Sequence, residues 1–296
     1  MRGWGALLLE LGVEESVCKA CPPATSQTVL GTLINTLDMT ISVTPDRLVS
    51  TKELLHTWQG RSRCTKTELR SLLGKLCCII RCVRQSRVFM NRLLAALRSF
   101  GHDKYISVSA EFKKDVHWWS TFMAVYNGVS IIPPIRWTAP DVVFTTDSTL
   151  SGCGGLTDIA YFHRRYPDYI LDAGYSINAL EILAVTVSVR LWGHMYGGQK
   201  ILIYCDNEVA VQAINTGKTR DSFVGSCARQ LWLEIANFGF ELKAVHLPGV
   251  ENRLADSLSR WHMSPYYSNL FLQAVEGISI FEKHVDDSLF LLDESL

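Results

Sequence analysis

The feature that most constrains the fold is a change of rhythm at the stretch GVSIIPPIRWTAPD, residues 128–141. Upstream, apolar residues recur every three or four positions; downstream, short β-branched runs alternate with helical stretches. Pro133, Pro134 and Pro140 fix φ and remove amide donors, so neither a helix nor a central strand can run through. The reading is a linker over 129–141 followed by a separate domain over 142–262. In that domain VVFTTDS and YFHRR read as strands, with DYILDAG a further candidate. A helix over 177–196, the strand ILIYCD, helices over 208–215 and 222–238, the strand FELKAVHL and a helix over 252–260 follow. A meander that gives way to βα alternation implies an α/β domain with a mixed central sheet flanked by helices.

The part before the linker reads differently. A short helix over 2–15 is followed by CKACPP, and then VLGTLIN and MTISV form a β-hairpin turning at residues 36–38, which makes 1–45 one unit. Residues 46–128 are helical. Ser50 with Glu53 and Thr65 with Glu68 fit the capping box that satisfies free amides at a helix start. Leu69, Leu72, Leu73, Leu76, Ile79, Ile80 and Val83 form one stripe, Phe89, Leu93, Leu94 and Leu97 continue it, and a last helix from Ser109 aligns Phe112, Val116, Trp119, Phe122 and Met123.

Charge is unevenly placed. From Arg47 to Lys104 there are 13 Lys and Arg against 3 Asp and Glu, a surplus that the rest of the chain offsets to a formal net charge of zero. A one-sided surplus on helices is a candidate polyanion surface, and Arg61, Arg63, Lys66, Arg70, Arg84 and Arg87 are its candidate contacts. After Trp261 the sign reverses, with six acidic residues and one lysine, so 263–296 is expected to be an acidic tail without full order. The longest apolar runs are too short to span a bilayer, and no basic, apolar and cleavage-site series opens the chain. An intracellular protein, cytoplasmic or nuclear, without membrane contact is expected. Nine cysteines without a repeated spacing argue for reduced thiols, and Cys18 and Cys21 lack the second pair that a zinc site needs.

Four acids stand out in the second domain. Asp147 closes the strand VVFTTD, Asp206 closes ILIYCD, Glu181 sits inside the apolar helix NALEILAV, and Asp256 lies in the last helix. If the two strands are parallel neighbours, their terminal carboxylates share the carboxyl edge where open α/β sheets bind ligands. A carboxylate on an apolar helix is costly unless paired or bound to metal. Any one aspartate at a strand end is more commonly a turn former or a cap. Four in one domain suggest divalent metal and phosphate chemistry.

These motifs resemble the ribonuclease H domain of reverse transcriptases. TTDSTLSGCGG resembles the first strand and its glycine-rich turn, NALEILAV the first helix, YCDNEVAV the fourth strand end, and HLPGVENRLADSLSR the final loop and helix. The first half, from KACPPATSQ through TKTELRSLLGKLCC to DVHWWSTF, is similar to the palm end, thumb and connection of a DIRS-like or related retrotransposon enzyme. The resemblance implies a two-metal endonuclease, ribonuclease H, that hydrolyses the RNA strand of RNA/DNA hybrids. Two Mg²⁺, with Mn²⁺ as substitute, are implied on Asp147, Glu181, Asp206 and Asp256, without a small-molecule cofactor. In that scheme Asp147 bridges the ions, Glu181 and Asp206 complete one site and Asp256 the other, while His246, ten residues ahead of Asp256, assists proton transfer or product departure. Ser148, Thr149, Asn178, Asn207 and Asn252 are its candidate nucleic-acid contacts. The polymerase motif of the family, an aromatic or apolar residue ahead of paired aspartates, is not found, so a partner in the form of the upstream palm and fingers is expected and no DNA synthesis from this chain alone. Two rival readings are an integrase-like nuclease, which ends its acid set on a glutamate, and a non-catalytic nucleic-acid-binding remnant.

Overall fold

The computed structural model describes residues 10–12, 21–101, 104–132 and 139–293, apart from the side chains of Arg84 and Gln85. Most of the helix expected over 2–15, Cys18 and the pair Pro133 and Pro134 lie outside the described residues, as does the Arg84 side chain. The eight described cysteines are free thiols.

The chain opens with β1 (Ser26–Val29), β2 (Thr32–Asn35) and β3 (Thr40–Val43), all antiparallel. VLGTLIN is thus not one strand. The chain reverses at Leu30 and Gly31, whose φ values of 51° and 80° give the tight turn that matches strand twist. The second reversal lies where it was expected, and the Asn35 carboxamide secures it by accepting from the amides of Leu37 (3.0 Å) and Asp38 (3.2 Å). Next come α1 (Pro45–Gln59), β4 (Arg63–Thr65), α2 (Lys66–Cys82), a 3₁₀ turn over Arg84–Met90, α3 (Asn91–Ser99), β5 (Tyr105–Ser107), α4 (Ala110–Val125) and β6 (Val129–Ile131). β6 pairs with β3, so the start of the stretch read as linker is an edge strand of the first sheet.

The two capping boxes fare differently. At α2 the Thr65 hydroxyl accepts from the Glu68 amide (3.2 Å) and Glu68 accepts from the Thr65 amide (2.8 Å). Ser50 instead lies inside α1 and returns its hydroxyl to the Arg47 carbonyl. Pro45, preorganised for the first helical position, starts that helix earlier. The leucine stripe of α2 is buried as its spacing implied.

The second part contains β7 (Val142–Ser148), β8 (Gly152–Leu156), β9 (Ala160–Arg165), α5 (Asp168–Asp172), α6 (Ile177–Trp192), β10 (Lys200–Cys205), α7 (Glu208–Thr216), α8 (Ser222–Phe238), β11 (Glu241–His246), α9 (Arg253–Ser259), α10 (Pro265–Ala274) and β12 (Phe281–Glu282). The sheet order is β11-β10-β7-β8-β9-β12. β11, β10 and β7 are parallel, β7, β8 and β9 form the antiparallel meander, and β12 runs parallel to β9. DYILDAG is not a strand: after Pro167 it folds as the short helix α5. α6 is buried on nearly every face, as its continuous apolar sequence requires.

The acidic segment after Trp261 is ordered rather than loose through residue 293. Val285 and Phe290 are buried, the latter edge-on to Tyr166 with ring centroids 5.6 Å apart. Its charges are met in kind, with Arg164 paired to Asp287 at 2.8 Å. Arg190 donates to the carbonyls of Leu289 (2.6 Å) and Leu291 (2.8 Å). A few apolar anchors and paired charges outweigh the acidic composition.

The helical part and the mixed sheet share a continuous core. Phe89 stacks on Trp118 and meets Trp232 of α8 edge-on, and the Asn91 amide donates to the Gly217 carbonyl at 3.1 Å. Asp115, fully buried, receives Arg92 at 3.0 Å and Arg229 of α8 at 3.5 Å. Burial still pushes its carboxyl up to about 6, against the pull of both guanidiniums. Among the described residues no helix is long and apolar enough to cross a membrane.

Candidate active site

β10 runs beside β7 in parallel, with Ile203 opposite Phe144 and Tyr204 opposite Thr145. Asp147 and Asp206 therefore reach the same sheet edge. α6 packs across β7 and β8 and brings Glu181 beneath them, while α9 packs on the same two strands and brings Asp256. The close seat of α9 depends on the glycines of β8: a Cβ on Gly154 would collide with Leu258 and lie 2.8 Å from the Ser259 nitrogen. All four carboxylates line one cavity of about 500 Å³, with Ser148, Asn207 and Arg260 on its walls.

Three of the four acids have identified donors. Ser259 donates its hydroxyl to Asp147 Oδ2 at 2.5 Å, and the Asn252 amide donates to the Thr146 carbonyl at 3.0 Å and to Asp147 Oδ1 at 3.4 Å. Glu181 accepts from the Ser148 amide at 3.2 Å on one oxygen and from the Cys205 thiol at 3.6 Å on the other. Asp256 pairs with the Arg260 guanidinium at 2.6 Å.

The electrostatics are those of crowded, partly dehydrated anions. Burial pushes Asp147 up to about 7; the Ser259 hydroxyl opposes this, and the charges of Asp206 and Asp256 add to it. Burial, then Asp147 and Asp206, drive Glu181 well above the usual carboxylate range. Asp206 is raised by burial too, although His246 pulls it down. Burial likewise pushes the Cys205 thiol up. Such a cluster either takes protons or takes cations. Donor atoms of Glu181, Cys205 and Asp206 lie within 4.8 Å of one another, a spacing that could hold a metal ion.

The other sequence candidates are placed as follows. His246 ends β11, and its Nε2 donates to the backbone carbonyl of Asp206 at 3.1 Å. Asn252 is buried, with its amide turned to the Thr146 carbonyl and to Asp147. Ser148 and Thr149 are buried with inward-turned hydroxyls, Ser148 against Tyr166 at 2.7 Å and Thr149 on the Gly152 carbonyl. Asn207 caps α7 and donates to Asn178 at 2.7 Å, a pair at half-buried positions. On the helical part Arg63 and Arg70 are exposed, and Lys66, Arg61 and Arg87 are half-buried. Arg61 lies 4.9 Å over Trp58 and pairs with Glu68 at 2.7 Å, beside Arg63 in a cleft of about 470 Å³. Cys205, Ser259 and Arg260 were not among the candidates. Ser259 and Arg260 could have been found from their spacing of three and four residues from Asp256 on one helix; nothing in the sequence marks Cys205 as turned toward Glu181.

The mixed six-stranded sheet flanked by helices is consistent with a ribonuclease H-like fold. No family model and no curated protein matches the chain. Among solved structures, the foamy viral protease-reverse transcriptase in complex with double-stranded DNA, in the form designated dRH, is similar at 12% identity and TM-score 0.30, over 82% of this chain and 42% of that one. The foamy viral protease-reverse transcriptase with an RNA/DNA hybrid is similar at 13% identity and TM-score 0.30, over 77% of this chain and 30% of that one. A third, with double-stranded DNA, has 11% identity and TM-score 0.27, over 76% and 46%. The chain spans less than half the length of these structures, and overlap at such scores carries no argument, so the fold is read from the strand order itself.

Proposed function

We propose that this chain is the nuclease-bearing part of a reverse transcriptase of the DIRS-like or a related retrotransposon type, and that it hydrolyses the RNA strand of RNA/DNA hybrids. The observation that carries the reading is the meeting of Asp147, Glu181, Asp206 and Asp256 in one cavity at the carboxyl edge of parallel strands. All-oxygen donors suit Mg²⁺, with Mn²⁺ as substitute. The upward shift of three of these carboxylates marks negative charge that the protein leaves uncompensated, which fits divalent ions. Such ions supply an activated water and relieve charge on the leaving 3′ oxygen.

The protein's own share is orientation. Ser259 and Asn252 fix both oxygens of Asp147, and the Ser148 amide with the Cys205 thiol fixes both oxygens of Glu181. With Nε2 donating to the Asp206 carbonyl, His246 is tied to the bend that carries that acid, and the role of assisting proton transfer or product departure is assigned to it.

The test is cleavage of an end-labelled RNA/DNA hybrid with Mg²⁺, Mn²⁺ or chelator, with Asp206→Asn protein prepared in parallel as the control for contaminating nuclease. Cutting confined to the RNA strand, dependent on the ion and absent from the control, is the expected result. Binding without cutting would reject the enzyme in favour of a nucleic-acid-binding remnant.

Hybrid grip is assigned to the basic helical part, by backbone charge. Because that part shares its core with the mixed sheet, deleting it would unfold more than it removes, and single charges are the cleaner probe. Arg63→Ala with Arg70→Ala is expected to lower the slope of log affinity against log salt by about 2, with no change in thermal stability. An unchanged slope places the hybrid elsewhere.

A further inference from the structure

We propose that Cys205 gives the acid centre a second face, formed with Glu181 and Asp206, that takes a thiophilic divalent cation such as Zn²⁺ in competition with Mg²⁺ and thereby holds the centre inactive. The inhibitory consequence rests on the nuclease reading; the binding itself does not.

The geometry follows from where β10 stops. Consecutive residues of a strand point to opposite faces, yet Cys205 is the last residue of β10 and Asp206 has already left it in a bend. That bend lets neighbouring side chains converge on Glu181. The Cys205 sulfur is 3.6 Å from Glu181 Oε2, and donor atoms of all three residues fall within 4.8 Å of one another. Glu181 and Asp206 also line the open cavity, whereas Cys205 is not part of that lining, so a cation reaches the sulfur by way of these two carboxylates. Cys205 is wholly buried, and its position against a carboxylate differs from that of a thiol packed only among apolar groups.

Donor chemistry then separates the cations. Mg²⁺ demands oxygen and near-octahedral geometry, so it has no use for the sulfur and is confined to the carboxylates. Zn²⁺ and Cd²⁺ favour sulfur, and three protein donors with one position open to solvent is a common zinc arrangement. On ligation the thiol gives its proton to solvent and the sulfur takes the ion in its place. An ion seated on Glu181, Cys205 and Asp206 removes two carboxylates from the oxygen-only set.

The experiment uses the full chain. Cd²⁺ is titrated into the wild type, Cys205→Ser and Asp206→Asn while thiolate-to-metal charge-transfer absorption is followed, with Zn²⁺ and Mg²⁺ affinities measured by calorimetry and thermal melts to establish folding. The wild type should show one thiolate equivalent more than Cys205→Ser. Zn²⁺ affinity should fall about tenfold more in that variant than Mg²⁺ affinity does. Asp206→Asn keeps the thiol but lacks a donor, and should lose the same absorption; it decides the matter if Cys205→Ser does not fold. In the cleavage assay Zn²⁺ should suppress Mg²⁺-supported cutting at concentrations about tenfold lower for the wild type than for Cys205→Ser. Equal spectra and equal Zn²⁺ affinities across the three proteins would overturn the proposal and assign the signal to other cysteines. A wild type that never cuts hybrid but keeps the spectral difference would reject the nuclease reading and leave the metal site standing.

Discussion

Asp147→Asn is expected to lower ion-dependent cleavage by about 10³-fold or more and, in the same protein, to raise the melting temperature measured in chelator at pH 8. Both effects have one cause. Burial, with Asp206 and Asp256 nearby, lifts the Asp147 carboxyl from its ordinary value of 3.8 to about 7. For a group raised in the folded state, the stability it contributes is fully present below its unfolded value and is lost as pH rises through the folded value. Metal-free protein should therefore lose stability between about pH 4 and pH 7. Asp115, raised to about 6, adds in the same direction. A rise of this size at Asp147 corresponds to an upper bound of about 4 kcal/mol for ionising it in the apo fold. A neutral asparagine avoids that cost, so a Tm gain of about 3–8 °C is expected at pH 8 and little at pH 4. Saturating Mg²⁺ should erase much of the wild-type pH dependence, because the ion supplies the missing positive charge. A variant that loses activity without gaining apo stability would mean that Asp147 is not charge-frustrated in the free protein.

This trade between stability and chemistry also explains which parts of the site could be read in advance. Strand-end acids are visible because a carboxylate directly after an apolar β-branched run is a local pattern, and parallel pairing of β7 and β10 then brings Asp147 and Asp206 together. Glu181 is visible because a charge in NALEILAV contradicts its surroundings. The supporting roles were not visible. Asn252 read as a nucleic-acid contact and Ser259 only as a neighbour of Asp256 on one helix, and their hold on Asp147 depends on α9 lying close enough to β8, a distance that no local pattern states. Local propensity also misled at the edges. DYILDAG has β-favouring residues but follows a proline that starts a helical turn, and VLGTLIN hides a two-residue reversal at Leu30, where a leucine takes a backbone conformation usually left to glycine or asparagine. For the acidic segment after Trp261, composition outvoted two apolar anchors, Val285 and Phe290; Tyr166, which packs on Phe290, and Arg190, which holds the Leu289 carbonyl, lie far away in sequence.

Replacing Gly154 by alanine is expected to destabilise the fold by about 1–3 kcal/mol and to reduce cleavage by about 10²-fold, from a single added methyl that touches no carboxylate. β8 reads as a glycine-rich turn because glycine is a poor strand former, yet GCGGL is a central strand paired on both sides. The reason is the helix it carries. A Cβ at Gly154 would overlap Leu258 Cβ and sit 2.7 Å from the Leu258 carbonyl carbon, so α9 itself, not a flexible side-chain end, would have to move. That movement draws Ser259 away from Asp147 and shifts Asp256 relative to the other three acids. Gly74→Ala is the matched control. Gly74 lies inside α2 with open space around its missing Cβ, so the same methyl there should be neutral or stabilise by about 0.5–1 kcal/mol, with activity unchanged. Opposite signs at the two glycines, read by denaturant melts and by hybrid cleavage, would show that contact between β8 and α9 sets the spacing of the acids. A Gly154→Ala protein with wild-type cleavage would show that Asp256 need not be held at that spacing.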